Sequence, residues 1–125
     1  MIKIFIVDDD HSLQRLYKLI LSEAGFEIVD IAINGKDAIE KYKEFKIKPD
    51  LILMDHRMPI KNGLEAMTEI LRINNHEKII LASADVSVKQ KAISLGACGF
   101  LDKPFKMQEL LKTIQQVVKE LIIES

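Results

Sequence analysis

The sequence has no tryptophan, one cysteine, three prolines and five glycines in 125 residues. Each scarcity closes off a class of protein. Cys98 stands alone, so no internal disulfide can form and a reducing compartment is the default. Prolines and glycines are too few and too scattered to make a linker or a low-complexity tract, which predicts one domain over residues 1–125. An excess of charge of one sign is also missing. The 18 basic and 19 acidic residues leave a net charge of −1, no electrostatic basis for nucleic acid as a direct partner. No apolar run is long enough to cross a bilayer, so membrane insertion is not expected. The N-terminal "MIKIFIVDDD" is short, carries a single lysine and stops at acids, unlike a secretory signal. A cytoplasmic location is the resulting expectation.

What is present is the composition of a soluble globular protein. Hydrophobic residues make up 48% and charged residues 30%, too apolar for a disordered chain. A domain of this size buries roughly two-thirds of its unfolded surface, enough for a core of its own. Apolar runs alternate with segments of helical period. "KIFIV" (Lys3–Val7) predicts a strand ending at Asp8. Ser12–Ala24 predicts a helix with Leu13, Leu16, Tyr17, Ile20 and Leu21 on one stripe, capped by Ser12 and stopped at Gly25. Phe26–Ala32 alternates in polarity as an edge strand would, and Asn34-Gly35 opens a second helix reaching about Phe45. "LILM" (Leu51–Met54) is the third strand and Gly63–Arg72 the third helix. Lys78–Ser83 and Gly99–Asp102 are further strands, with helices over Val86–Leu95 and Lys106–Ile123. Continuous apolar strands alternating with amphipathic helices predict an α/β fold, a parallel sheet covered on both faces. Ligands of such sheets bind beyond the carboxyl ends of the strands.

Polar residues collect at those ends. The first strand runs into Asp8, Asp9 and Asp10, the third into Asp55, the fourth into Ser83, and Lys103-Pro104 follows the fifth. If the first and third strands are neighbours, Asp8, Asp9 and Asp55 converge. Carboxylates held together repel one another, which raises their pKa values and weakens the fold unless a cation intervenes. All-oxygen ligation with several waters retained suits Mg²⁺. Lys103 adds a positive charge and Ser83 a hydroxyl, a combination able to hold an oxyanion such as a phosphoryl group. A carboxylate can itself be the nucleophile, giving an aspartyl phosphate.

Four segments carry a resemblance: "VDDD" at Val7–Asp10, "LMDHRMPIKNG" at Leu53–Gly63, "LASAD" at Leu81–Asp85 and "LDKPF" at Leu101–Phe105. In order and spacing the chain resembles the receiver domains of two-component response regulators, over essentially its whole length. The resemblance implies a doubly wound, flavodoxin-like, five-stranded parallel sheet of order 2-1-3-4-5 with five helices. It implies that Asp55 accepts a phosphoryl group from a sensor histidine kinase or a phosphotransfer protein of a phosphorelay. Asp9 and Asp55 would bind Mg²⁺ by their side chains, Arg57 by its backbone carbonyl, and Asp8 through metal-bound water. Lys103 would pair with Asp55, and Ser83 and Phe100 would be the switch residues. Arg57 and Asp85 would tune access of water to the phosphoryl group, and an Arg57–Asp85 ion pair across the pocket mouth is expected to shield it. The Lys103-Pro104 bond is expected to be cis. Phosphorylation would reshape the surface around the fourth helix, fifth strand and fifth helix for a downstream target protein.

The chain departs from the commonest pattern of the family at Ser83, where threonine is frequent, at Asn62, where aspartate is frequent, and at His56, where a small or hydrophobic residue is usual. None of these removes a chemical requirement. Plainer roles stand beside the functional ones. Asp10 reads best as a helix cap, His11 and His56 as solvated loop residues, Cys98 as a small buried filler, and Met54 and Met58 as core and loop packing. If the chain is complete, it would act as a diffusible single-domain switch like chemotaxis receivers, or as a relay intermediate. It would not be an enzyme beyond slow self-phosphorylation and self-dephosphorylation. Two rivals remain. "DDDHS" imitates the Asp-x-Asp-x-Ser of haloacid-dehalogenase-type phosphohydrolases, with Asp8 as nucleophile and Asp10 as acid/base. A degenerate receiver serving only as a binding module is the other.

Overall fold

The computed structural model describes residues 1–124. The elements are β1 (Lys3–Val7), α1 (His11–Glu23), β2 (Glu27–Ala32), α2 (Gly35–Glu44), β3 (Leu51–Asp55), α3 (Gly63–Ile73), β4 (Ile79–Ser83), α4 (Val86–Ser94), β5 (Gly99–Asp102) and α5 (Met107–Glu124). The strands form one parallel sheet of order β2-β1-β3-β4-β5, the doubly wound arrangement implied by the resemblance. Every residue of β3 and β4 is buried, whereas β2, the predicted edge strand, is mostly half-buried.

Period-two alternation divides the strand residues between two cores. Phe5, Val7, Ile52, Met54, Ile79 and Leu81 pack with Ala38, Tyr42, Met67, Ile70, Val88 and Ala92, on the side covered by α2, α3 and α4. Ile4, Ile6, Leu51, Leu53, Ile80 and Ala82 pack with Tyr17, Leu21, Leu110, Ile114 and Val117 of α1 and α5. No helix among the described residues is long and apolar enough to cross a membrane.

Of the two residues read as caps near the start of α1, the structure uses one. Asp10, not Ser12, caps α1: its carboxylate accepts from the backbone N–H of Ser12 and of Leu13, at 2.9 and 3.2 Å. Asp10 is the last residue with extended backbone, so its side chain reaches N–H groups that Ser12, already inside the helix, cannot serve. Asn34 caps α2, and Asn62 forms a capping box with Glu65 on α3. Gly25, with φ of 93°, takes the left-handed turn after α1 that a side chain disfavours. Cys98 is half-buried rather than fully buried; its thiol donates to the Ile79 carbonyl at 3.3 Å, and burial pushes its pKa up to about 11.

At the end of the sheet opposite the strand termini lies a buried acid that no sequence pattern marks. Glu77 is only 6% exposed. Its carboxylate accepts from the Tyr42 hydroxyl at 2.8 Å and from the Lys78 N–H at 3.1 Å, and Asn74 donates to the Tyr42 oxygen at 3.1 Å. Burial pushes its pKa up to about 7 despite these donors, with Asp50 adding repulsion and Lys48 opposing it. A group whose folded pKa is raised contributes stability below its unfolded value, and that contribution is lost as pH rises through the folded value. Glu77→Gln should therefore gain on the wild type as pH rises from about 5 to about 8, by on the order of 2 kcal/mol in urea unfolding. Equal pH slopes in the two proteins would show that Glu77 does not titrate there.

Candidate functional site

The carboxyl ends of β1, β3 and β4 and the segment after β5 meet in one cleft, beside the point where the strand order reverses between β1 and β3. Asp8 continues the ladder just past β1, donating its N–H to the Ala32 carbonyl at 3.0 Å, and is 1% exposed. Gln14 of α1 donates to the Asp8 carbonyl at 2.6 Å, and the Asp10 N–H donates to the Asp8 carboxylate at 2.9 Å. Asp55 closes β3 and is 7% exposed. Ser83 closes β4; its hydroxyl oxygen accepts from the Asp85 N–H at 3.1 Å and its carbonyl from the Lys103 N–H at 2.9 Å. That last bond extends the β4–β5 pairing to Lys103, whose bond to Pro104 is cis as expected.

The ammonium of Lys103 lies 2.6 Å from an Asp55 oxygen and 3.9 Å from an Asp8 oxygen. Oxygens of Asp8, Asp9 and Asp55 lie within 4.8 Å of one another, Asp9 being the exposed member. Burial is the main cause that raises Asp8 to about 6; the Asp10 N–H and Lys103 oppose it, while Asp55 and Asp9 reinforce it. Asp55 is also raised by burial, against the hydrogen bond and charge of Lys103. Three hard oxygen donors crowded at the mouth of a cleft fit a divalent cation of the Mg²⁺ type.

Arg57 and Asp85 line the same cleft but do not close on each other. Among the described residues no ion pair joins them. The Asp85 carboxylate instead caps α4, accepting from the N–H and hydroxyl of Ser87 at 2.9 and 2.7 Å. Those bonds hold its pKa low, with His56 and Arg57 adding attraction through space. A cap that binds at contact distance outcompetes a flexible surface ion pair. Phe100 stands on β5 opposite Leu81, half-buried against the α2–α4 core, and does not line the cleft.

Two residues of the site escaped the sequence reading. Gln14 is buried beneath Asp8, and only its place on the inner stripe of α1 hinted at this. His56 is half-buried rather than solvated; its ring Nδ1 accepts from the Leu64 N–H at 3.4 Å, and burial lowers its pKa. The nearby signal was Gly63, where an added Cβ would lie 2.5 Å from the Asp55 carbonyl oxygen. Nothing larger fits between α3 and the end of β3.

A five-stranded doubly wound sheet with an acid cluster and a lysine at its switch point defines an α/β domain whose carboxylates could hold a metal ion. Comparison with known proteins makes the class specific: residues 4–115 match the response regulator receiver domain, and the chain belongs to that family. It is 39% identical to the chemotaxis protein CheY of Thermotoga maritima over 94% of this chain and 98% of that protein. A receiver domain protein from Methanospirillum hungatei superposes with a TM-score of 0.90 at 25% identity, over 100% of this chain and 99% of that one. The CheY of Borrelia burgdorferi, solved in a CheX-CheY-BeF3-Mg²⁺ complex, gives a TM-score of 0.89 at 26% identity, over 94% and 89% of the two chains.

The raised Asp8 has a consequence for stability. Its contribution is present below the usual carboxylate range and is lost as pH rises through about 6. Asp8→Asn removes that loss, so without metal it should be more stable than wild type at pH 8, by on the order of 2 kcal/mol. Its thermal midpoint should respond far less to Mg²⁺ than that of wild type. A wild type indifferent to Mg²⁺ at pH 8 would refute the cation site.

Proposed function

We propose that this domain is a phosphoacceptor switch in two-component signalling, with Asp55 as the acceptor. The contact that carries this reading is the 2.6 Å approach of Lys103 to Asp55, inside a cluster of three carboxylates. Phosphoryl transfer depends mainly on positioning and charge neutralisation, and both are supplied here. An Asp55 oxygen forms the new O–P bond as the P–N bond of a donor phosphohistidine breaks, the electron pair returning to the imidazole. Lys103 then passes from the Asp55 carboxylate to the phosphoryl oxygens. Asp9 and Asp55, with the Arg57 carbonyl and with Asp8 through water, would hold Mg²⁺, which neutralises charge on the transferring group. The BeF3 and Mg²⁺ in the Borrelia burgdorferi complex support that assignment. Attack by water on the phosphorus breaks the O–P bond, releases inorganic phosphate and regenerates the Asp55 carboxylate; both self-catalysed steps are slow on this reading.

Ser83 would give up the Asp85 N–H to meet the phosphoryl group, with Phe100 following as its packing adjusts. The readout surface includes exposed Val86, Ile93 and Leu95, on and just after α4, which suit a downstream protein target. A histidine kinase or phosphotransfer protein is the donor, and CheX in the Borrelia burgdorferi complex illustrates a protein partner for such a domain. The reading places the domain in the cytoplasm, without direct contact to nucleic acid.

The phosphohydrolase alternative is disfavoured by Asp10, its required acid/base. Both Asp10 hydrogen bonds to Ser12 and Leu13 commit that carboxylate to capping α1. A module without phosphorylation would have no need for three mutually repelling carboxylates.

Intact-mass analysis after incubation with acetyl phosphate and Mg²⁺ tests the assignment. Wild type should gain one phosphoryl group, Asp55→Ala none, and Lys103→Ala should lose at least tenfold in rate. Phosphate release that depends on Asp8 and survives Asp55→Ala would favour the phosphohydrolase. An unmodified wild type with neither acetyl phosphate nor a phosphohistidine donor active would leave the binding module.

A further inference from the structure

Helix α3 begins directly on the end of the strand that carries Asp55. The first N–H groups of any helix lack intrahelical acceptors. Here the capping box serves two of them: Asn62 N–H donates to the Glu65 carboxylate at 3.1 Å, and Glu65 N–H to the Asn62 side chain at 2.9 Å. The two between are served by a single residue from outside the helix. Gly63 N–H donates to the His56 carbonyl at 2.8 Å, and Leu64 N–H to His56 Nδ1 at 3.4 Å.

His56 also donates its own N–H to the Ala82 carbonyl at 2.9 Å. One residue thus ties together β3, β4 and the first turn of α3, immediately after Asp55. The junction has no slack. A Cβ on Gly63 would lie 2.5 Å from the Asp55 carbonyl oxygen, 2.8 Å from His56 Cα and 2.9 Å from a Leu81 methyl. The N-terminus of α3 therefore does not offer free N–H donors to the cleft. It works as a fixed wall against which the Asp55 backbone rests.

We infer that His56 is a positioning residue for phosphoryl acceptance, pinning the start of α3 against the Asp55 backbone so that the acceptor carboxylate stays aligned with Lys103. The inference rests on the assignment of Asp55 as acceptor. The role requires an acceptor atom at the δ1 position and does not require a charge. A ring whose Nδ1 accepts an N–H carries its proton on Nε2 when neutral. Small displacements of a reacting group are costly in rate, which is why a contact outside the reacting atoms can matter.

The test uses the full chain with three substitutions. His56→Asn places an amide oxygen near the site of Nδ1. His56→Leu fills the space without an acceptor, and His56→Gln carries the amide one carbon too far. Amide exchange at Leu64 by NMR reads the helix contact directly. Acetyl phosphate kinetics at saturating Mg²⁺ separate the limiting rate from the half-saturating donor concentration.

Leu and Gln should each speed Leu64 exchange at least tenfold and lower the limiting rate five- to tenfold, with half-saturation changed less than twofold. Asn should restore both to within about twofold of wild type, and the wild-type ring should show the imidazole ¹⁵N signature of the Nε2–H form. Should Leu fail to fold, the contrast between Gln and Asn carries the same comparison. Limiting rates within twofold of wild type in Leu and Gln overturn the inference. So does an Asn variant that restores exchange without restoring rate. A wild type that takes no phosphoryl group fails at an earlier step and removes the acceptor assignment itself, whatever the exchange data show.

Discussion

The structure depends on a conflict among like charges. Asp8, Asp9 and Asp55 are brought within reach of one another at the end of the sheet, two of them almost out of contact with water. Repulsion and desolvation both oppose this arrangement, and one ammonium, that of Lys103, offsets it only in part. A domain that keeps such a site carries a standing destabilisation, which favours any ligand supplying positive charge. Much of the surrounding architecture serves to hold the conflict in place. Gln14 secures the carbonyl of Asp8, the β4–β5 ladder runs on to Lys103, and α3 abuts the backbone of Asp55 through a position where only glycine fits.

The fold was legible because its signals are local and repeated. Runs such as "LILM" and "KIIL" are too apolar for a surface strand, and the helices between them keep a clear stripe. Strand ends fell within a residue of expectation, and the runs of β1, β3 and β4 each stop at a polar residue of the cleft. Cap positions were less legible, since Asp10 and Ser12 are both competent caps and only the backbone path decides between them. The convergence of Asp8, Asp9, Asp55, Ser83 and Lys103 in one cleft could be inferred once the strand order was.

Contacts between loops were not legible. Nothing in the sequence distinguishes an Asp85 that pairs with Arg57 from one that caps α4, and the cap prevails because its donors are two residues along the chain rather than across a cleft. His56 was misplaced, and Glu77 passed unmarked, for the same reason. Each sits in a polar stretch that reads as solvated, and each is covered by elements distant in sequence. Burial of a loop residue is a tertiary fact without periodicity to announce it.

The two-sided alternation of the strands has a consequence for how a change could travel. Within β3, Asp55 falls in the row of Leu51 and Leu53, which belongs to the α1 and α5 side. Within β4, Ser83 falls in the row of Ile79 and Leu81, which belongs to the α2–α4 side, and Phe100 packs on that side as well. Asp55 and Ser83 thus meet across the rim of the sheet while rooted in opposite cores. On the proposed assignment, a change at Asp55 on the first layer would reach the second through Ser83, over the edge of the sheet. The two cores share only the strands between them, so a side-chain change on one face of this three-layered molecule need not alter the packing of the other.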